Sequence, residues 1–470
     1  MTTPDSRPGV LEELSLEKLW TSLRVVERML ATNELQFRLA VYGQLPYQPD
    51  DDSEVKQHGG DEVAANDSQS STQNSTTNTS SALDQLWVYG CALTKGCNVS
   101  CLAVNQSNKD ILAVGYGQFD FQHKKNGLAC CWTVKNPTWP ERVYRCEAGV
   151  TAIAFSSTDP NLLAVGSHDG IISIYNVRNV ADMPLLSTRE LPGRHMSTIW
   201  DLSWVDTELE ADMARVDTNE DLVSVSGDGR VTKWLIHNSL DLNEMIQLKC
   251  CCHKTSKIIT GNPRRPEETI SHVTAGFSIN FYPKDSSTYL VGTEEGVIHK
   301  STSSCNEQSV KYYWGHKGPV YNVLWSPFQK DIFASCSEDG HAYIWHTDKE
   351  HPVFDLYTKF CALQDIAWST VNSTVLATTS HDALHLWDLN SKLYPVHVIP
   401  ASESAALSRL LFVPGSDVLL VGDCDGQVSV YHMLNLNTQS PDPQGEVLAE
   451  LIQTTLTRQL QLPVSSKGSA

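Results

Sequence analysis

The chain has 470 residues, a formal net charge of −20, 41% hydrophobic and 19% charged residues, and 27 glycines. It is long enough to bury a sizeable core, and its glycine content suits a turn-rich protein better than a helical one. The acidic balance lacks any dense Lys/Arg run (Lys124-Lys125 and Arg264-Arg265 are isolated pairs), which argues against nucleic acid or an anionic membrane as a ligand.

Residues 1–10 lack a large apolar cluster and are expected to be disordered. Residues 11–43, "LEELSLEKLWTSLRVVERMLATNELQFRLAVYG", have a helical pattern. Leu16, Leu19, Leu23, Val26, Leu30, Asn33, Phe37 and Ala40 step alternately by three and four residues, a heptad seam that ends before Pro46. An amphipathic helix of this kind either folds back on its own domain or lies against a partner. In the second case Leu16, Leu19, Leu23, Val26 and Leu30 are the candidate contact residues, with Trp20 beside them as anchor.

Residues 44–82 are polar, with a run "DDSEVKQHGGDEVAANDSQSSTQNSTTNTSS" that cannot bury a core. A disordered linker is expected there. From residue 86 to residue 434 the texture changes to short β-branched and aromatic runs separated by turn residues. The unit is an apolar run, a short loop, a second run, a turn ending in Asp-Gly, and a third run closing on an aromatic. It recurs in "VTAIAFSSTDPNLLAVGSHDGIISIYNV", "VYNVLWSPFQKDIFASCSEDGHAYIW", "LQDIAWSTVNSTVLATTSHDALHLWDL" and "LSRLLFVPGSDVLLVGDCDGQVSVYHM", and more loosely three further times.

The turn residues Gly127, Gly170, Gly229, Gly296, Gly340, Ala383 and Gly426 are spaced 43, 59, 67, 44, 43 and 43 residues apart. A period of about 40–45 marks four-stranded propeller blades. The two long steps hold the insertions "TELEADMARVDTN" and "CCCHKTSKIITGNPRRPEETISH". An all-β fold of seven blades is therefore expected, since stacked blades cover faces that none can bury alone. "RVYRC", "VKYYW", "VFDLY" and "PVHVI" read as outer strands. The last repeat lacks one; "QLWVYGCAL", ahead of the first repeat, is a candidate to supply it, and "EVLAELIQTTL" in the C-terminal extension 435–470 is a competitor.

The repeats resemble WD-repeat proteins. In the fullest copy His316, Ser335, Asp339 and Trp345 match that family's hydrogen-bonded network within a blade. Asp169, Asp228, Asp382 and Asp425 hold the matching turn positions, and Trp387-Asp388 is the literal Trp-Asp. A narrower resemblance is carried by the Gly-Tyr-Gly-Gln-Phe-Asp-Phe loop at 115–121, by Trp132 followed by Lys135-Asn136-Pro137, and by Pro140-Glu141. These residues, with "VERML" and "NELQFRLAVYG" in the helix, are similar to dynein intermediate chains, above all the axonemal, inner-arm two-headed type. That resemblance implies a non-catalytic subunit in the axoneme of a cilium or flagellum, and in the cytoplasm during assembly. Its implied partners are a dynein heavy chain and a second intermediate chain. Light chains bind a long N-terminal region in that family; only about ten residues precede the helix in this sequence, so light chains stand as a doubtful further partner of this short form, an isoform or a fragment. A generic WD-repeat adaptor for trafficking or ubiquitin ligation is the alternative.

No catalytic, metal or cofactor constellation stands out. "SHDG" at 167–170 and "SHDA" at 380–383 set Ser, His and Asp side by side. A catalytic triad needs the imidazole between hydroxyl and carboxylate in space, which one tight turn does not offer. Cys250, Cys251, Cys252 and His253 are adjacent, a spacing unsuited to one tetrahedral metal. No phosphate-binding Gly-Lys-Ser/Thr loop is present. Thirteen cysteines, mostly in apolar runs, read as reduced small core residues.

Overall fold

The computed structural model describes residues 9–45, 83–117, 126–179, 182–206, 220–236, 240–250, 272–283, 285–303, 310–358, 361–402, 405–434 and 445–461, with the side chains of 9–17, 21, 24, 31–34 and 459–461 outside that set. The two insertions named above, apart from Cys250 and His272, therefore lie outside the described residues. So do 1–8 and all but the first two residues of the expected linker.

Seven antiparallel sheets of four strands form seven blades. The inner strands, in order, are Asn98–Val104, Val150–Phe155, Ile199–Asp206, Gly276–Tyr282, Val320–Trp325, Leu363–Trp368 and Leu407–Phe412. Each blade then runs outward through two buried strands, such as Ile332–Ser337 and His341–His346 in the fifth, to a short outer strand such as Phe354–Tyr357. The second and third strands read as near-continuous apolar runs because both their faces are covered by neighbouring blades. Ile332–Ser337 and Ala383–Asp388 are buried at every position. Trp132, Trp234, Trp345 and Trp387 end the third strands of the first, third, fifth and sixth blades and are 0% exposed.

The turn before the third strand takes a left-handed residue in five blades: Gly170, Gly229, Gly296, Gly340 and Gly426 have φ between 76° and 84°. At Gly426 a Cβ would stand 1.9 Å from the Thr94 carbonyl oxygen of the first blade, so glycine is required by space as well as by φ. Ala383 holds the same place in the sixth blade and begins its strand at ordinary φ, as a residue with a Cβ must.

The strand Leu83–Tyr89 pairs antiparallel with Val428–Met433 and completes the seventh blade. The "QLWVYGCAL" segment thus closes the ring, with its strand starting at Leu83 rather than at residue 86. The competing C-terminal segment is a helix, α2, at Glu446–Gln461. Its Leu448 and Ile452 are buried against a cluster shared by the fifth and sixth blades, and Gln329 Nε2 donates to the Gly445 carbonyl at 3.2 Å. Its apolar residues recur three to four apart, a helical and not an alternating pattern.

The first helix, α1, spans Gly9–Tyr42. Its last turns dock on the joint between the seventh and first blades. Leu39, Val41 and Tyr42 pack against the core cluster around Trp87. Arg38 Nη1 donates to the Leu86 carbonyl at 2.7 Å, and the Tyr42 hydroxyl donates to the Lys109 carbonyl at 2.7 Å. No helix among the described residues is long and apolar enough to cross a membrane.

Candidate functional site

Three places gather polar or exposed apolar side chains beyond what the core requires. The first is within the fifth blade. Trp345 Nε1 donates to Ser335 Oγ at 2.8 Å, Ser335 Oγ meets His316 Nε2 at 2.7 Å, and His316 Nδ1 faces the Asp339 carboxylate at 3.2 Å. A carboxylate only accepts, so Nδ1 carries a proton, and in the neutral imidazole Ser335 donates to Nε2. Burial alone would raise the Asp339 pKa. The bond and charge of His316 and the Lys317 and His341 amides outweigh it and hold the carboxyl at about 2. Ser335 is fully buried and its hydroxyl is occupied from both sides, so the set is a strand staple with no free nucleophile.

The third blade repeats this geometry around the expected Asp228, with His195, Ser224 and Trp234, which the repeat pattern did not single out, as its partners. Trp234 Nε1 to Ser224 Oγ is 2.8 Å, Ser224 Oγ to His195 Nε2 is 2.7 Å, and His195 Nδ1 to Asp228 is 3.1 Å. Arg230 Nη2 adds a second partner to Asp228 at 2.8 Å. Burial opposes ionisation of Asp228 too, but His195 and Arg230 hold its pKa well below the carboxylate range. His195 follows Gly-Arg rather than Gly directly, and the 207–219 insertion separates it from Asp228; that displaced the motif, although Trp234 at the strand end was a usable signal.

The other turn aspartates do not join such a network. Asp169 accepts from Ser167 Oγ in its own turn, and Asp382 accepts from Cys361 Sγ at 3.3 Å. Asp425 takes part through its backbone, its amide donating to Asp423 and its carbonyl accepting from Gly96. The expectation that these three complete a blade network is corrected: none of their blades supplies a histidine over the turn. Trp387 donates to Thr378 Oγ1 at 2.9 Å, a threonine replacing serine, and Asp388 is bonded by Thr374. The two Ser-His-Asp triplets are turns as well. The Ser167 amide donates to the Ile171 carbonyl at 3.0 Å and the Ser380 hydroxyl to the Ala383 carbonyl, each closing its turn.

The second place is α1. Leu19, Trp20, Leu23, Val26 and Leu30 are each at least half exposed, and so are Val25 and Met29 beside them. Leu16 lies in the helix, but its side chain is outside the described residues. Among the described side chains the apolar face is bare from Leu19 to Leu30 and packed at Leu39, Val41 and Tyr42, with Arg28 reaching Glu141 of the first blade at 2.9 Å in between.

The third place is the axis. Every inner strand has a register shift after its first residues, and the skipped residues are Ser100, Thr151, Trp200, Phe277, Tyr321, Gln364 and Ser408. Such a bulge re-aims its side chain, and all seven line one cavity on the axis. Polar bonds staple every neighbouring pair of blades near it. Ser100 and Thr151 donate to the carbonyls of Val150 and Ile199, and Asp201 accepts the Ile279 amide. Asn280 accepts the Trp325 amide, Asn322 donates to Asp365, Asp365 accepts the Leu410 amide, and Ser408 donates to the Val99 carbonyl. Burial pushes the Asp365 pKa up and the Asp201 pKa up to about 6. Among the described residues no group of three or more His, Cys, Asp or Glu could hold a metal ion. Nine cysteines are free thiols, and Cys250 is disulfide-bonded, which corrects the expectation of reduced cysteines at that position.

Residues 139–176 and 307–346 match the WD domain, G-beta repeat, and with the seven four-stranded sheets they define the class: a seven-bladed β-propeller carrying WD repeats. The chain is 40% identical over 457 residues to dynein axonemal intermediate chain 4 of Rattus norvegicus, covering 93% of this chain and 56% of the relative. It is 41% identical over 448 residues to dynein axonemal intermediate chain 4 of Homo sapiens, covering 93% and 53%. Ciliary dynein intermediate chain 2 of Heliocidaris crassispina is 32% identical over 371 residues, 77% of this chain and 51% of the relative. Within its class the sequence fits an axonemal dynein intermediate chain. The chain spans about half the length of the curated relatives it matches.

Proposed function

We propose that this chain is a non-catalytic intermediate-chain subunit of an axonemal dynein of the inner-arm, two-headed type, scaffolding a heavy chain and a second intermediate chain and so regulating ciliary beating. On this reading it works in the axoneme of a cilium or flagellum after assembly in the cytoplasm. The observation that carries the reading is the bare apolar face of α1. A helix rooted on the ring by its last turns, with Leu19, Trp20, Leu23, Val26 and Leu30 open to solvent, is built to be covered by another helix. The occupied hydroxyls of Ser224 and Ser335 support a structural role for the blade networks.

The full chain, tagged and recovered from ciliated cells, should bring down a dynein heavy chain and a second intermediate chain. Changing Leu19, Leu23 and Val26 together to Asp should cut the second intermediate chain recovered at least ten-fold, with circular dichroism and heavy-chain recovery unchanged. Recovery of cullin or coat subunits in place of dynein would overturn the reading; undiminished intermediate-chain recovery by the triple variant would overturn the role given to α1.

A further inference from the structure

We propose that the axial channel is a binding site for an arginine side chain presented on an exposed loop of a partner protein. The inference goes beyond the scaffold role above and does not depend on α1.

The mouth of the channel lies where the inner strands begin, and the bulged residues divide it into two unlike arcs. Trp200, Phe277 and Tyr321 come from the third, fourth and fifth blades and form a continuous aromatic wall. Their ring centroids are 5.1 Å apart for Trp200 and Phe277 and 6.1 Å for Phe277 and Tyr321, both edge-to-face. The opposite arc is short and polar, from Ser100, Thr151, Gln364 and Ser408. The mouth cavity is about 230 Å³, several times the volume of roughly 30 Å³ that one water occupies in the liquid. A larger cavity of about 470 Å³ continues along the axis and shares Thr151, Trp200, Phe277, Tyr321 and Arg409 with the mouth.

Aromatic rings at a mouth serve any apolar ligand; the charges beneath them choose a cation. Asp201, Asp365 and Arg409 line the deeper cavity, and together they leave one net negative charge. Arg409 stands 4.0 Å from Asp365 and is tied by its Nε to the Ser100 carbonyl, so one guanidinium is set against two buried carboxylates. Asp201, next to Trp200 in the chain, accepts the amides of Leu202 and Ile279, and Arg409 acts on it only through space. At the rim the Tyr321 hydroxyl bonds Glu338, which is exposed. A guanidinium fits this set better than an ammonium. It stacks flat on an aromatic face and sheds water at lower cost, while its remaining donors can reach a carboxylate from one side.

The test uses the full chain and three acetylated, amidated pentapeptides, Ala-Ala-X-Ala-Ala, with X as arginine, lysine or citrulline, followed by ligand-observed saturation-transfer NMR. The arginine peptide should bind, the lysine peptide several-fold more weakly, and the uncharged isostere citrulline at least ten-fold more weakly. Phe277→Ala should lower arginine-peptide binding at least ten-fold, whereas Tyr394→Ala, on the exposed rim of the sixth blade, should leave it unchanged. Should Phe277→Ala fail to give the wild-type circular dichroism spectrum, Trp200→Leu keeps bulk while removing the indole face and makes the same distinction. No binding by the arginine peptide, equal binding by citrulline or lysine, or binding indifferent to the folded aromatic variant would each overturn the proposal.

Discussion

The fifth and seventh blades have the same four-stranded topology and are held in opposite ways. The fifth is finished locally: 31 consecutive residues, 315–345, supply its Gly-His, its serine, its turn aspartate and its tryptophan, and the polar chain from Trp345 to Asp339 ties three strands in register. The seventh has no histidine over its turn and no tryptophan at the end of its third strand, where Tyr431 stands instead. Its fourth strand arrives from more than 300 residues earlier in the chain, and with it come Leu83, Leu86, Trp87 and Tyr89, all buried. Carboxylates near the two turns behave oppositely as well. Asp339 is held ionised by its histidine, whereas burial raises the pKa of Asp423, at the end of the seventh blade's second strand, against the Gln427, Asp425 and Gly426 amides and with the Asp425 charge adding to the rise. A blade can therefore be fastened by a polar network of its own or by apolar burial of a borrowed strand, and one ring uses both.

The comparison breaks hardest at the borrowed strand. Trp87→Ala removes a large buried side chain that packs against Tyr42 and Tyr89 and should cost about 3–5 kcal/mol in urea unfolding. It should also expose the tail of α1 to protease; a loss below 1 kcal/mol would mean the seventh blade does not depend on this strand. Next comes His316→Ala, which leaves Ser335 and Asp339 facing an emptied site. We expect about 1–3 kcal/mol from the orphaned polar groups, and a similar loss from His195→Ala in the third blade. If only one of the two destabilises the protein, the networks are not equivalent.

The smallest effect is the pH dependence. An aspartate with a folded-state pKa near 2 stabilises the fold above its unfolded value of about 3.9 and loses that contribution as pH falls through the interval between them. Unfolding measured from pH 5 to pH 2 should therefore fall less steeply for Asp339→Asn than for the unmodified protein. Asp423 has the opposite sign: its raised pKa favours the fold at low pH and the contribution fades as pH rises through it. Asp423→Asn should accordingly leave the loss of stability between pH 5 and pH 2 at least as steep as in the unmodified protein.

The ring was legible because its signals are local. Turn glycines recur at a fixed period, and each marks a place where φ or space admits little else, as at Gly340 and Gly426. The network of the fifth blade was legible for the same reason, with its four residues inside one unbroken repeat. That of the third blade was not, because an insertion stretched the spacing that identifies it. Closure by 83–89 was readable from the missing outer strand of the last repeat, but the choice against 446–461 turns on which segment can be covered on two faces at the joint. The axial site was the least visible. Trp200, Phe277 and Tyr321 lie 77 and 44 residues apart in the chain, and only the bulge that skips one residue in every inner strand turns them toward a common axis. Sequence alternation alone assigns such residues to the face of a sheet.

The way α1 is rooted has a mechanical meaning. Its last turns grip Leu86 and Trp87 on the closing strand and Lys109 on the first blade, beside the seam inside the seventh blade that strand pairing alone holds shut. A pull on the exposed part of the helix therefore enters the ring where its two ends meet, and is borne by the backbone ladder from Leu83 to Tyr89 against Val428 to Met433. The closure is thus both the anchor point and the element whose rupture would open the circle.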